Sequence, residues 1–256
     1  MTKKQRHPAS SSLYIFLGLG SLIILWWLLS ILAGPLLISS PYTTIRALFT
    51  MLRSPIFYEN IFWTATRILG ILLFAGTGGI FLAAIALFDK RLEESLEPFR
   101  WICMTIPPVV MIVVIMFWMG VGSNMIIVFG SLILWPIMYV NILQGSRIYT
   151  EELRETAKVF DISPKIRLRH FFLPAIAPAL LAGAVQVICS AIRATVLAEV
   201  LGAEKGIGAA IATYARQLNT ERMTAWVVIV LLMAVAAEFL LLRPISKKAY
   251  QWRNHT

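Results

Sequence analysis

The chain has 256 residues, of which 59% are hydrophobic and only 14% charged, and its formal net charge is +10. Soluble domains carry roughly a quarter charged residues, so this composition excludes an ordinary soluble domain and indicates a membrane protein. The positive charge sits in short segments between apolar runs, which points to membrane topology rather than to a nucleic-acid partner.

Six uncharged runs follow in chain order: about Leu13 to Leu37, Ile68 to Phe88, Trp101 to Met119, Met125 to Leu143, Leu173 to Ile192 and Met223 to Ala237. Most reach the roughly 17 to 25 residues that a helix needs to cross about 30 Å of hydrocarbon. The expectation is an all-α polytopic membrane protein with six transmembrane helices. A short tail occupies 1-12 and a single membrane domain 13-256. Lys3, Lys4 and Arg6 precede the first run as they would in a secretory signal, but its length and the lack of a small-residue cleavage site predict a retained span. Lys90, Arg91 and Arg100 lie between the second and third runs. Arg147, Arg154, Lys158, Lys165, Arg167 and Arg169 lie between the fourth and fifth, and Arg243, Lys247, Lys248 and Arg253 follow the sixth. The positive-inside rule places all four basic segments, and so both termini, in the cytoplasm. Arg46, Arg53, Lys205, Arg216 and Arg222 fall outside, a minority.

In the first outer connection, Ser40-Pro41 predicts the start of a short helix, with Ser as cap and Pro in its first turn. Ile45, Leu48, Phe49 and Leu52 recur along it at helical spacing, so it is expected to lie along the membrane interface. Gly70, Gly76, Gly78 and Gly79 in the second span read as positions of close helix packing. Gly120-Val121-Gly122-Ser123-Asn124 is a tight uncharged turn that makes its flanking spans antiparallel neighbours.

The loop at 145-172 is the longest cytoplasmic connection. Thr150 can cap a helix whose first turn holds Glu151 and Glu152, favourably placed against the helix dipole. Leu153, Ala157 and Phe160 then fall at i, i+4 and i+7, one apolar stripe on an otherwise charged helix, which Ser163-Pro164 ends. Such a stripe implies a partner groove. Gly202 to Gly208 is expected to be a flexible outer segment. It is not a phosphate-binding loop, a pattern absent from the whole chain.

An ionisable group at mid-bilayer costs at least about 2.5 to 3.5 kcal/mol on insertion scales, so each one within a span is a functional candidate. Arg67 and Arg193 lie toward the outer ends of the second and fifth spans. Snorkelling to the interface and attraction of an anionic solute are equally compatible with that position. Glu199 is the better candidate for a gate or pathway residue, while Glu238 reads as a helix-end contact for Arg243. Cys103 and Cys189 fall in apolar runs as small hydrophobes, and His7, His170 and His255 are too scattered for a metal site. No nucleophile elbow, zinc motif or paired intramembrane carboxylates point to an enzyme.

Glu155-Thr156-Ala157, followed at a distance by Phe172-Leu173-Pro174, resembles the EAA loop of bacterial ABC importer permeases, with Thr156 at the place of the first Ala and Asp161 at that of the Gly. Ile106-Pro107-Pro108 leading to Met116-Phe117-Trp118-Met119-Gly120, and Leu197-Ala198-Glu199-Val200 before Lys205-Gly206-Ile207-Gly208, are similar to segments of the nitrate, sulfonate, taurine and bicarbonate uptake group. The resemblance covers about Trp26 to Arg253. It implies a type I permease fold in a bacterial inner membrane, a second permease copy, and an extracytoplasmic solute-binding protein. It also implies two cytoplasmic ATPases that hold ATP and Mg while this chain holds no cofactor. Leu153, Glu155, Thr156, Ala157, Phe160, Asp161, Leu173 and Pro174 would couple the permease to them. Arg67, Arg193 and Glu199 would face the pathway of a small anionic solute such as a sulfonate, taurine or nitrate. The alternative is a secondary transporter driven by an ion gradient, which would favour internal repeats and more buried charges.

Overall fold

The structure is a computed structural model, and the residues it describes are 8–147, 160, 163, 166 and 168–239. Among these, all regular structure is helical. α1 (Pro8–Ala33), α2 (Pro41–Met51) and α3 (Pro55–Phe88) are followed by α4 (Lys90–Thr105), α5 (Pro108–Met119) and α6 (Ser123–Ser146). After a π-helical turn, Leu168–Phe172, come α7 (Leu173–Gly202), α8 (Ile207–Arg216) and α9 (Thr220–Ala237).

Four helical stretches among the described residues are long and apolar enough to cross a membrane: Pro55–Phe88, Ser123–Ser146, Arg169–Gly202 and Thr220–Ala237. The third apolar run departs from the expected straight span. It is divided between α4 and α5, which meet at a bend of 102°. The cause is Pro107-Pro108. Ile106 is held extended (φ −65°, ψ 128°) because a residue before proline is pushed out of the helical region. Pro108 then opens α5, where its missing N–H is no loss. The pair gives at most a fifth span. The apolar part of α1, Leu17–Ala33, is shorter than those spans, so the expected six uniform helices become four, a broken pair and a short one.

Internal contacts group the chain into two compact units. One comprises Met1–Tyr58 and Ala210–Ile229. In it Ser40 caps α2, its hydroxyl accepting from Thr43 N at 3.2 Å. Thr44, Ala47 and Met51 are buried while Tyr42, Ile45 and Phe49 stay exposed. Phe57 stacks on the buried ring of Trp226 with centroids 5.1 Å apart, and Trp26 Nε1 donates to Ser39 O at 3.0 Å.

The other unit comprises Glu59–Ala209 and Val230–Thr256. Its centre is α3, α6 and α7, and the most extensive pairing is α6 against α7. Gly183 on α7 faces Asn141 and Met138, Gly145 near the end of α6 faces Ala179, and Gly202 faces Met125, so α6 and α7 run antiparallel. Gly70 and Gly79 of α3 meet Ile127 and Met138 respectively, which makes α3 parallel to α6. Lipid tails are as apolar as leucine, so such helices associate through close backbone approach rather than hydrophobic expulsion. Two of the four glycines expected to serve this purpose do so. Gly76 and Gly78 have open space around them.

That difference is measurable. A Cβ on Gly79 would lie 2.7 Å from both Trp135 O and Met138 Cβ, neither of which can turn aside. Gly79→Ala is expected to destabilise the purified protein by about 1 to 3 kcal/mol, the usual cost of overpacking. Gly76→Ala should leave the thermal midpoint unchanged or raise it.

Candidate functional site

The expected coupling loop falls largely outside the described residues: Leu153, Glu155, Thr156, Ala157 and Asp161 are not among them. Phe160 is described and is 73% exposed. Leu173 and Pro174 are exposed at the start of α7, where proline is tolerated in the first turn.

At the opposite end of α7 the structure builds a polar centre in an apolar setting. Glu199 is wholly buried and Arg67 is 4% exposed. Arg67 Nη1 donates to Glu199 Oε1 at 2.6 Å and to the carbonyl of Lys205 at 2.6 Å, while Nε donates to Ser123 Oγ at 3.0 Å. Thr64 Oγ1 lies 2.9 Å from both carboxylate oxygens of Glu199. Gly208 N donates to Oε2 at 2.9 Å and Ile207 N to Thr64 Oγ1 at 2.8 Å. The N-terminus of α8, the positive end of its dipole, is thereby aimed at the carboxylate. Gly206, at φ +122°, turns the chain back toward α3 and donates to Asn60 Oδ1 at 2.8 Å. A Cβ there would strike both the Glu199 carboxylate and the Arg67 guanidinium.

The segment expected to be flexible is therefore fastened. Gly206, Ile207 and Gly208 are buried, because their backbone N–H groups supply hydrogen bonds that a carboxylate and two polar side chains need once water is excluded. Gly122 N donates to Gly202 O at 3.0 Å, which ties the α5–α6 turn to the end of α7. An open cleft of about 360 Å³ lies beside the pair, with Trp63, Ser123 and Lys205 among its walls. Lys205 Nζ meets Glu59 Oε1 at 2.7 Å in this exposed region.

Arg67 neither snorkels nor offers a free charge. It is committed to Glu199, and both are held as a tie between helices. Arg193 is placed differently. It is exposed on α7, and its Nη2 donates to Ser190 Oγ at 3.4 Å. Glu238 is exposed, while Arg243 lies outside the described residues.

Asn60, Thr64, Ser123 and Gly208 are functional members of the tie that reasoning from sequence missed. The signal existed for three of the participants: Asn60, Thr64 and Arg67 fall at i, i+4 and i+7 on one face of an apolar helix. Ser123 had none, since it opens α6, 56 positions along the chain from Arg67.

The described residues form an all-helical fold whose long apolar helices are those of a multi-pass membrane protein. The sequence pattern of the family described as "Binding-protein-dependent transport system inner membrane component" matches residues 75–243, and the chain belongs to that family. It is a permease subunit of an ABC importer, a multi-pass membrane protein that works with an ATPase and a solute-binding protein and is not itself an enzyme. It is 28% identical over 189 residues to the putative aliphatic sulfonates transport permease protein SsuC of Bacillus subtilis, covering 73% of this chain and 67% of that one. It is 23% identical over 259 residues to the taurine transport system permease protein TauC of Escherichia coli, covering 98% and 94%. An inward-facing structure of the methionine ABC transporter MetNI superposes with a TM-score of 0.64 at 14% identity, covering 80% of this chain and 96% of the other. At that identity the likeness shows the fold alone. A secondary transporter driven by an ion gradient is not favoured by these matches.

Removing one member of a buried ion pair strands the other, at a cost of roughly 3 to 5 kcal/mol. Arg67→Met is therefore expected to lower the thermal midpoint sharply, and Arg67→Met with Glu199→Gln to recover part of the loss. A double variant as damaged as the sum of its single changes would show that the two groups do not depend on each other.

Proposed function

We propose that the protein is one of two identical membrane subunits that together form the pathway for a small oxyanion across a bacterial inner membrane. Both termini face the cytoplasm, and the Arg67–Glu199 end of α3 and α7 faces the solute-binding protein. ATP and Mg are held by the partner ATPases. Closure of the ATPase pair on ATP, transmitted through the loop that carries Glu155, Thr156, Ala157 and Asp161, tilts the spans, so that the pathway faces alternately outward and inward.

The observation that carries this reading is Phe160, a large apolar side chain left 73% exposed in a charged connection between two spans, where a partner groove would cover it. Leu173 and Pro174 carry the loop into α7, which places a push on the loop at the root of a spanning helix. The substrate class is supported by the relatives, one named for aliphatic sulfonates and one for taurine; both solutes carry a sulfonate.

A charge introduced at Ala157 would be desolvated against the ATPase without a partner, which costs several kcal/mol. Ala157→Glu is expected to abolish co-purification of the ATPase while the permease remains in the membrane. Asp161→Gly should leave co-purification close to normal, because glycine suits a turn at least as well as aspartate. Full retention of the ATPase by Ala157→Glu would refute this loop as the docking element.

A further inference from the structure

We infer that α7 carries an oxyanion-selecting ladder built from Gln186, Ser190 and Arg193, and that this stripe, not the Arg67–Glu199 pair, meets the solute inside the pathway. The inference rests on the reading of the chain as a permease for an oxyanion and names the residues that do the selecting.

The depth of Arg193 follows from the helices around it. Arg67 on α3 and Asp89, the residue just past its end at Phe88, are 22 positions apart, about 33 Å at the helical rise, which matches the roughly 30 Å of hydrocarbon. Glu199 pairs with Arg67 and so marks the same edge on α7. Arg193 lies six positions before Glu199, about 9 Å deeper. Snorkelling would carry its side chain back to that edge, but helical side chains lean toward the N-terminus of their own helix, and α7 begins at the far side. The hydrogen bond to Ser190, one turn N-terminal, shows the guanidinium directed inward.

Among the described residues no carboxylate pairs with Arg193. An exposed guanidinium at that depth needs water or a ligand around it, because hydrocarbon supplies neither counter-charge nor acceptors. Gln186, Ser190 and Arg193 fall at i, i+4 and i+7, on one face of α7 about 10 Å long. Gln186 Oε1 accepts from Asn141 Nδ2 at 3.2 Å, which leaves the Gln186 amide NH2 to donate. Ser190 Oγ accepts from Arg193 and retains its own proton to give. The stripe is thus a run of donors with one fixed positive charge, suited to a group with several acceptor oxygens and hostile to a cation.

The test uses the whole transporter in proteoliposomes, with Cys103→Ala and Cys189→Ala removing both native thiols. Gln186→Cys places a thiol one rung deeper than Ser190. It is labelled with a methanethiosulfonate bearing either a sulfonate or a trimethylammonium group, each rate being divided by that for a free small thiol. We expect the sulfonate reagent to be favoured by at least about ten-fold, the lower end of what a cleft of one sign does to encounter rates. Arg193→Gln should erase the preference and Arg193→Lys should keep it. Should the Gln186→Cys variant resist both reagents while Gln217→Cys, an exposed control, reacts, the stripe faces lipid and the ladder is refuted. Equal labelling by both reagents would refute the anion selection. Either result leaves ATPase co-purification intact, whereas failure of the permease reading would appear there.

Discussion

A carboxylate sealed from water persists as an anion only where the protein supplies what water would have supplied, and the site around Glu199 meets that demand from four directions. Arg67 of α3 brings charge, Thr64 a hydroxyl, the first turn of α8 a backbone N–H, and Ser123 at the start of α6 holds the guanidinium in place. The desolvation of the two ions costs several kcal/mol each, which their attraction offsets only with near-ideal geometry and the remaining lone pairs filled. The rest of the unit is arranged to satisfy those conditions. Gly206 exists as glycine because the turn needs a positive φ and because any Cβ would displace the two charged groups. Gly208 is similarly constrained, a Cβ there meeting Val196 O and Glu199 Cβ. The tie therefore fixes the relative height of α3 and α7 at one end, while along their length each packs closely against α6 through glycine contacts.

Much of this fold is legible from hydrophobicity alone, because a spanning helix must be apolar over a length set by the bilayer. The runs at Ile68, Met125, Leu173 and Met223 were found for that reason, and each lies within one of the observed spans. The run from Trp101 to Met119 has the right length and polarity yet bends. Proline acts on backbone conformation, which a count of apolar residues does not register. The cause lies in Ile106-Pro107-Pro108: two prolines in succession remove donors and force the preceding residue out of the helix.

The candidate site divides in the same way. The apolar stripe at Leu153, Ala157 and Phe160 could be read locally as a candidate partner surface, since its apolar periodicity conflicts with its charged surroundings. Glu199 could be singled out as an ion within a span, but its fate could not, because Thr64 and Arg67 lie more than 130 positions away in the chain. The loop at 202–208 departs from the expected flexibility for a related reason. Glycine-rich composition signals conformational freedom, yet freedom in the unfolded chain is also what allows a backbone to approach a buried carboxylate closely once folded.

Arg67 and Arg193 show how little a residue type decides without its neighbours. Each sits on an apolar helix with polar residues at the preceding i−3 and i−7 positions, Thr64 and Asn60 in one case, Ser190 and Gln186 in the other. One stripe turns into the protein, finds Glu199, and is closed to further chemistry. The other has no carboxylate partner among the described residues and remains exposed. Because charge within a membrane is costly, an unpaired guanidinium persists only where its use outweighs that cost, and a mobile anionic partner is such a use. A paired charge would bind a passing anion weakly, since the counter-ion must be displaced, whereas a charge set among donors binds and releases without breaking a structural contact. Arg67, which holds the helices together, is thus not available to a solute, whereas the exposed Arg193 is committed only to Ser190.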